Sequence, residues 1–400
     1  MKLHNFLLLL LVPMFICCEK SGGNGNENEN GNEENKQELV DPESGYPLIK
    51  DGDIVLATNK NVEKFLTTVT YPERDYTITH ITDADYAPTC PGKDDFAPKF
   101  TIRWEANPEN GSPVCRLWED DGWSREYSSP YINDHYVDIS SLRPNAKYHY
   151  EVKSGGQVLT SGSFQTTGHL HQLRFSALRN VRDLGGWKTK DGTKTVKYRM
   201  IYRGGRFQSP EIKTLGRVDL IAEGIKAQLD LRGHTSSGAQ EYLNMEQSPL
   251  YGYVENFNFL APCIEEGYTQ MLKEDQAKCA QCIRFIMKCV KENKPVYFHC
   301  SLGRDRTGTV AMMVLGILGV NEGDISKEYE LTQFAPDGYS VSSGESTKMT
   351  RKVDYRGAAS YIWSLAENDN WSFAECMQKY FISIGITQSE IDEFRSLMLE

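Results

Sequence analysis

The sequence lacks an apolar run that could cross a bilayer as a helix, which needs roughly 20 residues. Its two longest apolar runs, 6–16 and 310–320, hold eleven residues each. The first is interpreted as a secretory signal and the second as a buried helix. Its 44 basic residues are outnumbered by 55 acidic ones, and the net charge of -11 argues against a nucleic-acid partner. Cys279 and Cys282 have no second cysteine pair at a ligand-like spacing, so helix packing is favoured over a zinc site.

The first apolar run ends at Cys17-Cys18, which resembles the lipobox of bacterial lipoproteins. Cys18 is then the lipidated residue, with Cys17 as the alternative. Residues 1–18 form the signal peptide, and 19–44, rich in Gly, Asn and Glu, form a disordered acidic tether. The resemblance implies an exported protein, lipid-anchored to a bacterial membrane on its periplasmic or cell-surface face. A plain secretory signal with incidental cysteines is the alternative interpretation.

Residues 45–168 have short alternating segments separated by turn residues and no long helical pattern, which predicts an all-β region. The segment 142–150 resembles the L-x-P-x-x-x-Y pattern of fibronectin type III domains, and Trp104 stands where that family has its core tryptophan. The resemblance implies an immunoglobulin-like sandwich in which Tyr148 bonds to nearby backbone. We interpret it as a spacer, with ligand binding as the alternative. Cys90 and Cys115 are candidates for a disulfide in this region.

Residues 169–400 alternate between buried strands and helices, which predicts an α/β domain with a central sheet flanked by helices. Within it, residues 174–206 carry ten lysines and arginines against two aspartates, a local excess that would steer anionic substrates. Predicted strands cover 226–231 and 295–299, and predicted helices cover 276–291, 307–318, 322–332, 358–367, 373–384 and 387–399.

A short loop joins the strand that ends at His299 to the helix that starts near Arg306, and Cys300 is its first residue. A loop of this length can turn its backbone N–H groups inward to bind phosphate oxygens, and the helix adds its positive end. Arg306 can hold two of these oxygens with its planar fork. The same field favours the thiolate of Cys300. The other predicted phosphate-binding residues are Ser301, Leu302, Gly303, Arg304, Thr307 and Gly308.

The decapeptide over 299–308, HCSLGRDRTG, looks like the signature of the protein tyrosine phosphatase superfamily. It is similar to the atypical bacterial group, usually written HCxxGKDRTG, with Arg304 in place of the lysine. The blocks at 180–186, 201–205 and 229–232 resemble that group's N-F-R-D-L-G-G, L-Y-R-S-G and I-D-L-R. The resemblance therefore covers about 174–400.

The resemblance implies a phosphomonoester hydrolase that works through a phosphocysteine, with Cys300 as nucleophile and Arg306 stabilising the charge. The sequence has no Trp-Pro-Asp, the tripeptide that carries the acid in conventional members. Asp305 is therefore the predicted general acid, and Asp183 and Asp230 are the alternatives. No cofactor and no metal are expected.

The predicted partners are a phosphorylated substrate and the membrane that holds the lipid anchor, and a monomer is expected. Protein phosphotyrosine is the predicted substrate, while dual or lipid specificity, phosphoinositides and inositol phosphates stay open. Arg182 and Arg203 are candidates for contacts with the substrate or with the loop. A non-catalytic phosphate-binding surface lipoprotein is the rival class, and a rhodanese is disfavoured by the Arg-Thr-Gly ending of the loop.

Overall fold

The structure is a computed structural model, and the part that can be described starts at Leu39. The predicted signal, Cys18 and most of the tether therefore lie outside the described residues. All described residues belong to one compact unit. The predicted division into 45–168 and 169–400 stays a prediction. The structure describes residues 39–75, 80–81, 97–106, 111–175, 178–206, 218–231, 254–256, 269–300, 302–335, 349–350 and 353–400.

The N-terminal β region contains two sheets with a common apolar core. Its strands are β1 (Ile54–Leu56), β2 (His80–Ile81), β3 (Lys99–Arg103), β4 (Val114–Glu119), β5 (Ser124–Tyr127), β6 (Tyr136–Ser140), β7 (Lys147–Ser154) and β8 (Gln157–Thr167). One sheet has the order β1-β8-β7-β4-β5, and the other pairs β3 with β6. Trp104 and Cys115 are buried in this core. Cys115 is a free thiol, and Cys90, its candidate disulfide partner, lies outside the described residues.

Tyr148 lies in this core on strand β7, where it is fully buried. Its hydroxyl oxygen accepts a hydrogen bond from the backbone N–H of Arg143 at 2.8 Å. This is the backbone bond that the fibronectin resemblance implies for the tyrosine. The assignment of the region to the fibronectin type III class stays a prediction.

A helix interrupts the predicted all-β region, which corrects that prediction. Helix α1 (Lys60–Thr68) begins at Asn59, whose side chain accepts hydrogen bonds from the first-turn N–H groups. Its buried face, with Val62, Phe65 and Leu66, packs in an apolar cluster with residues of the α/β region. The apolar stripe of such a short helix was too brief to stand out from strand patterns.

The central sheet of the α/β region consists of β9 (Arg182–Asp183), β10 (Ile201–Gly204), β11 (Ala227–Asp230), β12 (Val254–Asn256) and β13 (Val296–His299). Its order is β12-β11-β13-β10-β9, with β9 antiparallel to β10 and the other pairs parallel. Every residue of β10, β11 and β13 is buried, as expected for parallel strands covered on both faces. Gly204 and Asp230 both pair with His299, so these three strands end at one edge.

The predicted helices of the α/β region are present in the predicted order, and one further helix, α2, was not predicted. The described helices are α2 (Thr269–Glu274), α3 (Gln276–Lys291), α4 (Asp305–Ile317), α5 (Glu322–Glu330), α6 (Val353–Trp363), α7 (Phe373–Ser383) and α8 (Gln388–Met398), and a 3-10 turn covers Leu331–Phe334. The short strand β14 (Met349–Thr350) pairs with β2. Cys279, Cys282 and Cys289 are buried in the apolar core, where the packing interpretation placed them. In the described part of the chain, no helix is long and apolar enough to cross a membrane.

Buried polar groups join the β region to the α/β region. Arg199 donates hydrogen bonds to the carboxylate of Glu119 and, at 3.0 Å, to the hydroxyl of Tyr148. Its guanidinium also lies 3.8 Å from the ring centroid of Trp123. Glu119 is 3% exposed, and its carboxylate accepts hydrogen bonds from Arg199 and from Arg143 of its own region. The predicted spacer is therefore tied to the α/β region by a buried ion pair.

Candidate active site

The position of Cys300 follows from the order of the sheet. It comes directly after β13, at the edge where β10 and β11 also end, and it is 4% exposed. The loop then leads into α4, whose residues from Thr307 to Ile317 are all buried. Because the core holds this helix firmly, its N-terminal N–H groups stay at the carboxyl edge of the sheet. That edge is where open α/β sheets bind ligands, and helix N-termini favour anions.

Arg306 lies in the first turn of α4 and is half-buried. Its Nη1 donates to the carbonyl oxygen of Leu231 at 3.0 Å, and Leu231 follows β11. This bond orients the guanidinium, which has five N–H donors in total. The hydroxyl of the neighbouring Thr307 is buried and has no hydrogen-bond partner among the described residues. Ser301 lies outside the described residues.

Asp305 is held from two sides. Arg304 donates from Nε to Oδ1 at 2.9 Å and from Nη2 to Oδ2 at 3.2 Å. The hydroxyl of Tyr329, on α5, also donates to Oδ1, at 3.0 Å. Helix α5 comes this close because Gly308 has no side chain: a Cβ there would overlap the Tyr329 ring. Asp305 is thus a partly exposed carboxylate five residues after Cys300, with fixed donors around it.

Two buried arginines lie on the other side of the loop. Arg203 donates from Nη1 to Glu328 at 2.6 Å and from Nη2 to the carbonyl oxygen of Gly303. Arg182 donates to the same carboxylate from Nε at 2.7 Å. Burial, with a contribution from the positive charge of Arg203, lowers the pKa of Arg182 to about 9. Two guanidinium groups thus share one carboxylate, and the resulting positive field favours an anion in the loop.

The backbone of the loop is fixed by an amide and by glycine contacts. The side chain of Asn180 donates from Nδ2 to the carbonyl oxygens of Gly303 at 2.9 Å and Leu302 at 3.3 Å. Gly303 has a φ of 69°, and a Cβ there would overlap the backbone of Gly204 and Gly205. Only glycine fits this left-handed turn against the end of β10 without strain. This contact explains why the blocks at 180–186 and 201–205 accompany the cysteine loop.

The two alternative acids have other surroundings. Asp183 is buried, with Oδ2 3.1 Å from Nδ1 of His171 and Oδ1 accepting from a backbone N–H. Asp230 is buried at the end of β11, with Oδ1 4.0 Å from Nδ1 of His299. That same Nδ1 lies 3.2 Å from the carbonyl oxygen of Cys300. Of the three predicted acids, Asp305 alone is partly exposed in the loop.

The structure changes the interpretation of the basic segment over 174–206. Arg182 and Arg203 are buried, Arg199 is partly buried, and all three are paired with carboxylates. As placed, Arg182 and Arg203 support the loop and do not reach a substrate. Their charge acts as a field from behind the loop.

Sequence reasoning missed Glu328 and Tyr329 of helix α5. They stand in the charged segment Lys327-Glu328-Tyr329-Glu330, which is typical of a solvent-exposed helix face. Glu328 is in fact 1% exposed, because it faces two arginines from another part of the chain. No local signal distinguishes such a glutamate from an exposed one. The arginines of the blocks at 180–186 and 201–205 were the only hint that a carboxylate was needed.

Residues 173–400, more than half of the chain, match the tyrosine phosphatase family. The chain therefore belongs to that family. The match covers the cysteine loop, the supporting arginines and the helix α5, and it begins close to the predicted domain boundary.

Two curated relatives show the same likeness. The chain is 24% identical over 181 residues to a candidate tyrosine-protein phosphatase of Cupriavidus necator, a match that covers 40% of this chain and 62% of that protein. It is 27% identical over 143 residues to a tyrosine-protein phosphatase of Nostoc commune, covering 32% of this chain and 47% of that one. The matches thus span less than two thirds of either relative.

Two solved structures also overlap part of the chain. The crystal structure of TpbA from P. aeruginosa covers 48% of this chain and 89% of its own, at 14% identity and a TM-score of 0.30. A variant of TpbA in complex with phosphotyrosine covers 48% and 91%, at the same identity and TM-score. A TM-score this low supports no argument about this chain.

Proposed function

We propose that the protein hydrolyses phosphomonoesters through a phosphocysteine formed on Cys300. The observation that carries the proposal is the position of this cysteine. It lies between the carboxyl ends of the parallel strands β10, β11 and β13 and the N-terminus of a buried helix, with Arg306 oriented by a backbone carbonyl one strand away. Membership of the tyrosine phosphatase family supports the same chemistry.

In the first step, the Cys300 thiolate attacks phosphorus in line with the leaving oxygen, forming an S–P bond while the ester P–O bond breaks. Arg306 and the loop N–H groups stabilise the charge on the three remaining oxygens. In the second step, water attacks phosphorus, the S–P bond breaks, and phosphate leaves. The hydroxyl of Thr307, which has no hydrogen-bond partner in the described part of the chain, is a candidate donor to the departing sulfur.

Asp305 is the proposed general acid. It gives a proton to the leaving oxygen in the first step and takes one from the attacking water in the second. Arg304 occupies both of its oxygens, so this pair has to open before the carboxyl group carries a proton. The partly exposed position of Asp305 permits that rearrangement, while Asp183 and Asp230 are enclosed.

The proposed substrate class is phosphotyrosine in proteins, because the family and both curated relatives carry that description. Dual specificity and activity on phosphoinositides or inositol phosphates use the same loop chemistry. Initial rates on a phosphotyrosine peptide, a phosphoserine peptide, a phosphoinositide and an inositol phosphate compare them directly. Phosphotyrosine as the slowest of the four substrates would contradict this assignment.

We also propose that the enzyme works outside the cytoplasm, held by a lipid on Cys18 and the acidic tether. The sequence of the first 44 residues supports this proposal. Metabolic labelling with a radioactive fatty acid tests it. Label that is retained in a Cys18→Ala protein and lost in a Cys17→Ala protein would move the anchor to Cys17.

The test of the proposed function uses p-nitrophenyl phosphate with purified protein, without added metal. We expect hydrolysis that vanadate inhibits, and a loss of roughly 10⁴-fold or more in Cys300→Ser. The Cys300→Ser protein should still bind inorganic phosphate, since the loop N–H groups and Arg306 remain. Hydrolysis by the Cys300→Ser protein at the wild-type rate would contradict the proposal. Phosphate binding without hydrolysis by the wild-type protein would favour a non-catalytic phosphate-binding protein.

A further inference from the structure

Helix α5 contacts the cysteine loop at two separate points. Glu328 accepts from Arg203 at 2.6 Å, and Arg203 donates to the carbonyl oxygen of Gly303. One residue further on, Tyr329 donates to Asp305 at 3.0 Å. The first contact reaches the backbone that binds phosphate, and the second reaches the proposed acid. Both side chains are buried, so the helix cannot shift without moving the loop.

The N-terminal part of the chain holds the other side of this helix. The hydroxyl of Tyr71 donates to the buried carboxylate of Glu330 at 2.5 Å. Lys327 donates to the carbonyl oxygen of Leu66, the last buried residue of α1, at 3.1 Å. The backbone of Tyr71 passes so close to Gly323 that a Cβ there would overlap its carbonyl oxygen. Helix α5 therefore lies between the N-terminal segment and the active-site loop.

We propose that helix α5 positions the two working parts of the site separately: Glu328 holds the phosphate-binding backbone, and Tyr329 holds Asp305. The N-terminal segment around Tyr71 fixes the helix in this position. Both are positioning residues, because neither touches the reacting atoms. The role of Tyr329 rests on the proposed function, while that of Glu328 concerns phosphate binding alone.

The two contacts predict different kinetic losses, and the leaving group separates them. A good leaving group such as p-nitrophenolate needs little protonation, whereas phenolate depends strongly on the general acid. Tyr329→Phe should therefore slow phenyl phosphate by about tenfold, the value of one hydrogen bond to a charged group, and p-nitrophenyl phosphate much less. Asp305→Asn should show the same dependence with a larger loss.

Glu328→Gln should weaken the binding of phosphate. With the counter-charge gone, Arg203 no longer holds the carbonyl of Gly303 firmly, and the loop N–H groups lose their alignment. We expect both esters to slow by the same factor and the affinity for inorganic phosphate, measured by calorimetry, to fall by about tenfold. Tyr71→Phe should show both effects at reduced size.

Two substitutions of nearby buried residues, Tyr355 and Glu322, serve as matched controls. Tyr355 stacks on Tyr329 with ring centroids 4.6 Å apart, and its hydroxyl accepts from Ser326 at 3.3 Å and donates to Glu322 at 3.4 Å. Glu322 is as buried as Glu328 but lies at the far end of α5. Tyr355→Phe should keep the leaving-group dependence of wild type, and Glu322→Gln should keep its phosphate affinity.

The outcomes separate this inference from the proposed function. Equal slowing of both esters in Tyr329→Phe, or the same pattern in Tyr355→Phe, would overturn the assignment of Tyr329. Unchanged phosphate affinity in Glu328→Gln would overturn that of Glu328, and a silent Tyr71→Phe would remove the N-terminal support. A wild-type protein that binds phosphate without hydrolysis, and binds it less in Glu328→Gln, would refute the function and keep the positioning of the loop.

Discussion

The two sides of the cysteine loop differ in how their polar groups are used. On the front, Arg306 is half-buried with one described protein contact, and the hydroxyl of Thr307 has no partner among the described residues. On the back, Arg203 is fully buried and occupied by Glu328 and a loop carbonyl. The front keeps donors for an anion, whereas on the back both Nη atoms of Arg203 are used, one by Glu328 and one by the loop backbone.

This difference shows why positive charge alone does not identify a substrate contact. Arg203 and Arg306 are both close to the loop, and both lie in blocks that resemble the phosphatase pattern. Burial distinguishes them, because an enclosed arginine with a carboxylate partner has no free path to a phosphate. The back arginine still contributes through its field, which favours anion binding on the front.

Replacing the front arginine tests the largest expected effect on catalysis. Arg306→Lys keeps the charge but loses the planar fork that holds two phosphate oxygens. We expect the turnover number for p-nitrophenyl phosphate to fall by about 10²–10³-fold, with little change in the free energy of unfolding. Turnover near that of wild type would show that the front needs only a point charge.

Replacing the back arginine, Arg203, tests for a large effect on the free energy of unfolding. Arg203→Met leaves the buried Glu328 with one partner fewer, and we expect the free energy of unfolding to fall by about 3–5 kcal/mol. Arg306→Met is the matched control on the front, where the loss of one hydrogen bond should cost less than about 1.5 kcal/mol. Denaturant unfolding measures both, and equal losses in the two variants would erase the distinction between front and back.

An exposed ion pair far from the loop should have the smallest effect of these residues on the free energy of unfolding. Mainly through the hydrogen bond from Arg284, the pKa of Glu390 is lowered to about 2 from its usual 4.5. Its stabilising contribution is therefore complete above pH 4.5 and is lost as the pH falls toward 2.

For this surface pair, the difference in unfolding free energy between wild type and Glu390→Gln should be below about 1 kcal/mol at neutral pH. It should shrink to nothing across the same acid range, as measured by urea unfolding at several pH values. A difference that grows toward low pH would have the wrong sign and would contradict the lowered pKa.

The sequence predicted the elements that carry a regular pattern. The strand ending at His299 and the helix over 276–291 are present at or within a residue of the predicted bounds, because the first is a short apolar run buried throughout and the second has apolar residues at helical spacing. It also placed Cys300 and Arg306 together, since both belong to one short loop. Helix α1 was missed because its apolar face covers only a few residues and packs on a distant part of the chain.

Contacts between distant segments could not be predicted. The pairing of Glu328 with Arg182 and Arg203 joins positions more than a hundred residues apart, and Arg306 is anchored by a backbone carbonyl that any residue offers. The same holds for Asn180, whose side chain fixes the loop by bonds to backbone oxygens. Such partners depend on the tertiary fold, so only the structure identifies them.

The most direct measurement is a rapid-quench experiment with mass spectrometry of the peptide that carries Cys300 during turnover of p-nitrophenyl phosphate. We predict one phosphoryl group on Cys300 in the wild-type protein, accumulating in the Asp305→Asn protein if acid–base assistance of the second step is lost. The Cys300→Ser protein should show no turnover-dependent label. Steady turnover with an unmodified Cys300, or with the phosphoryl group on another residue, would contradict the account.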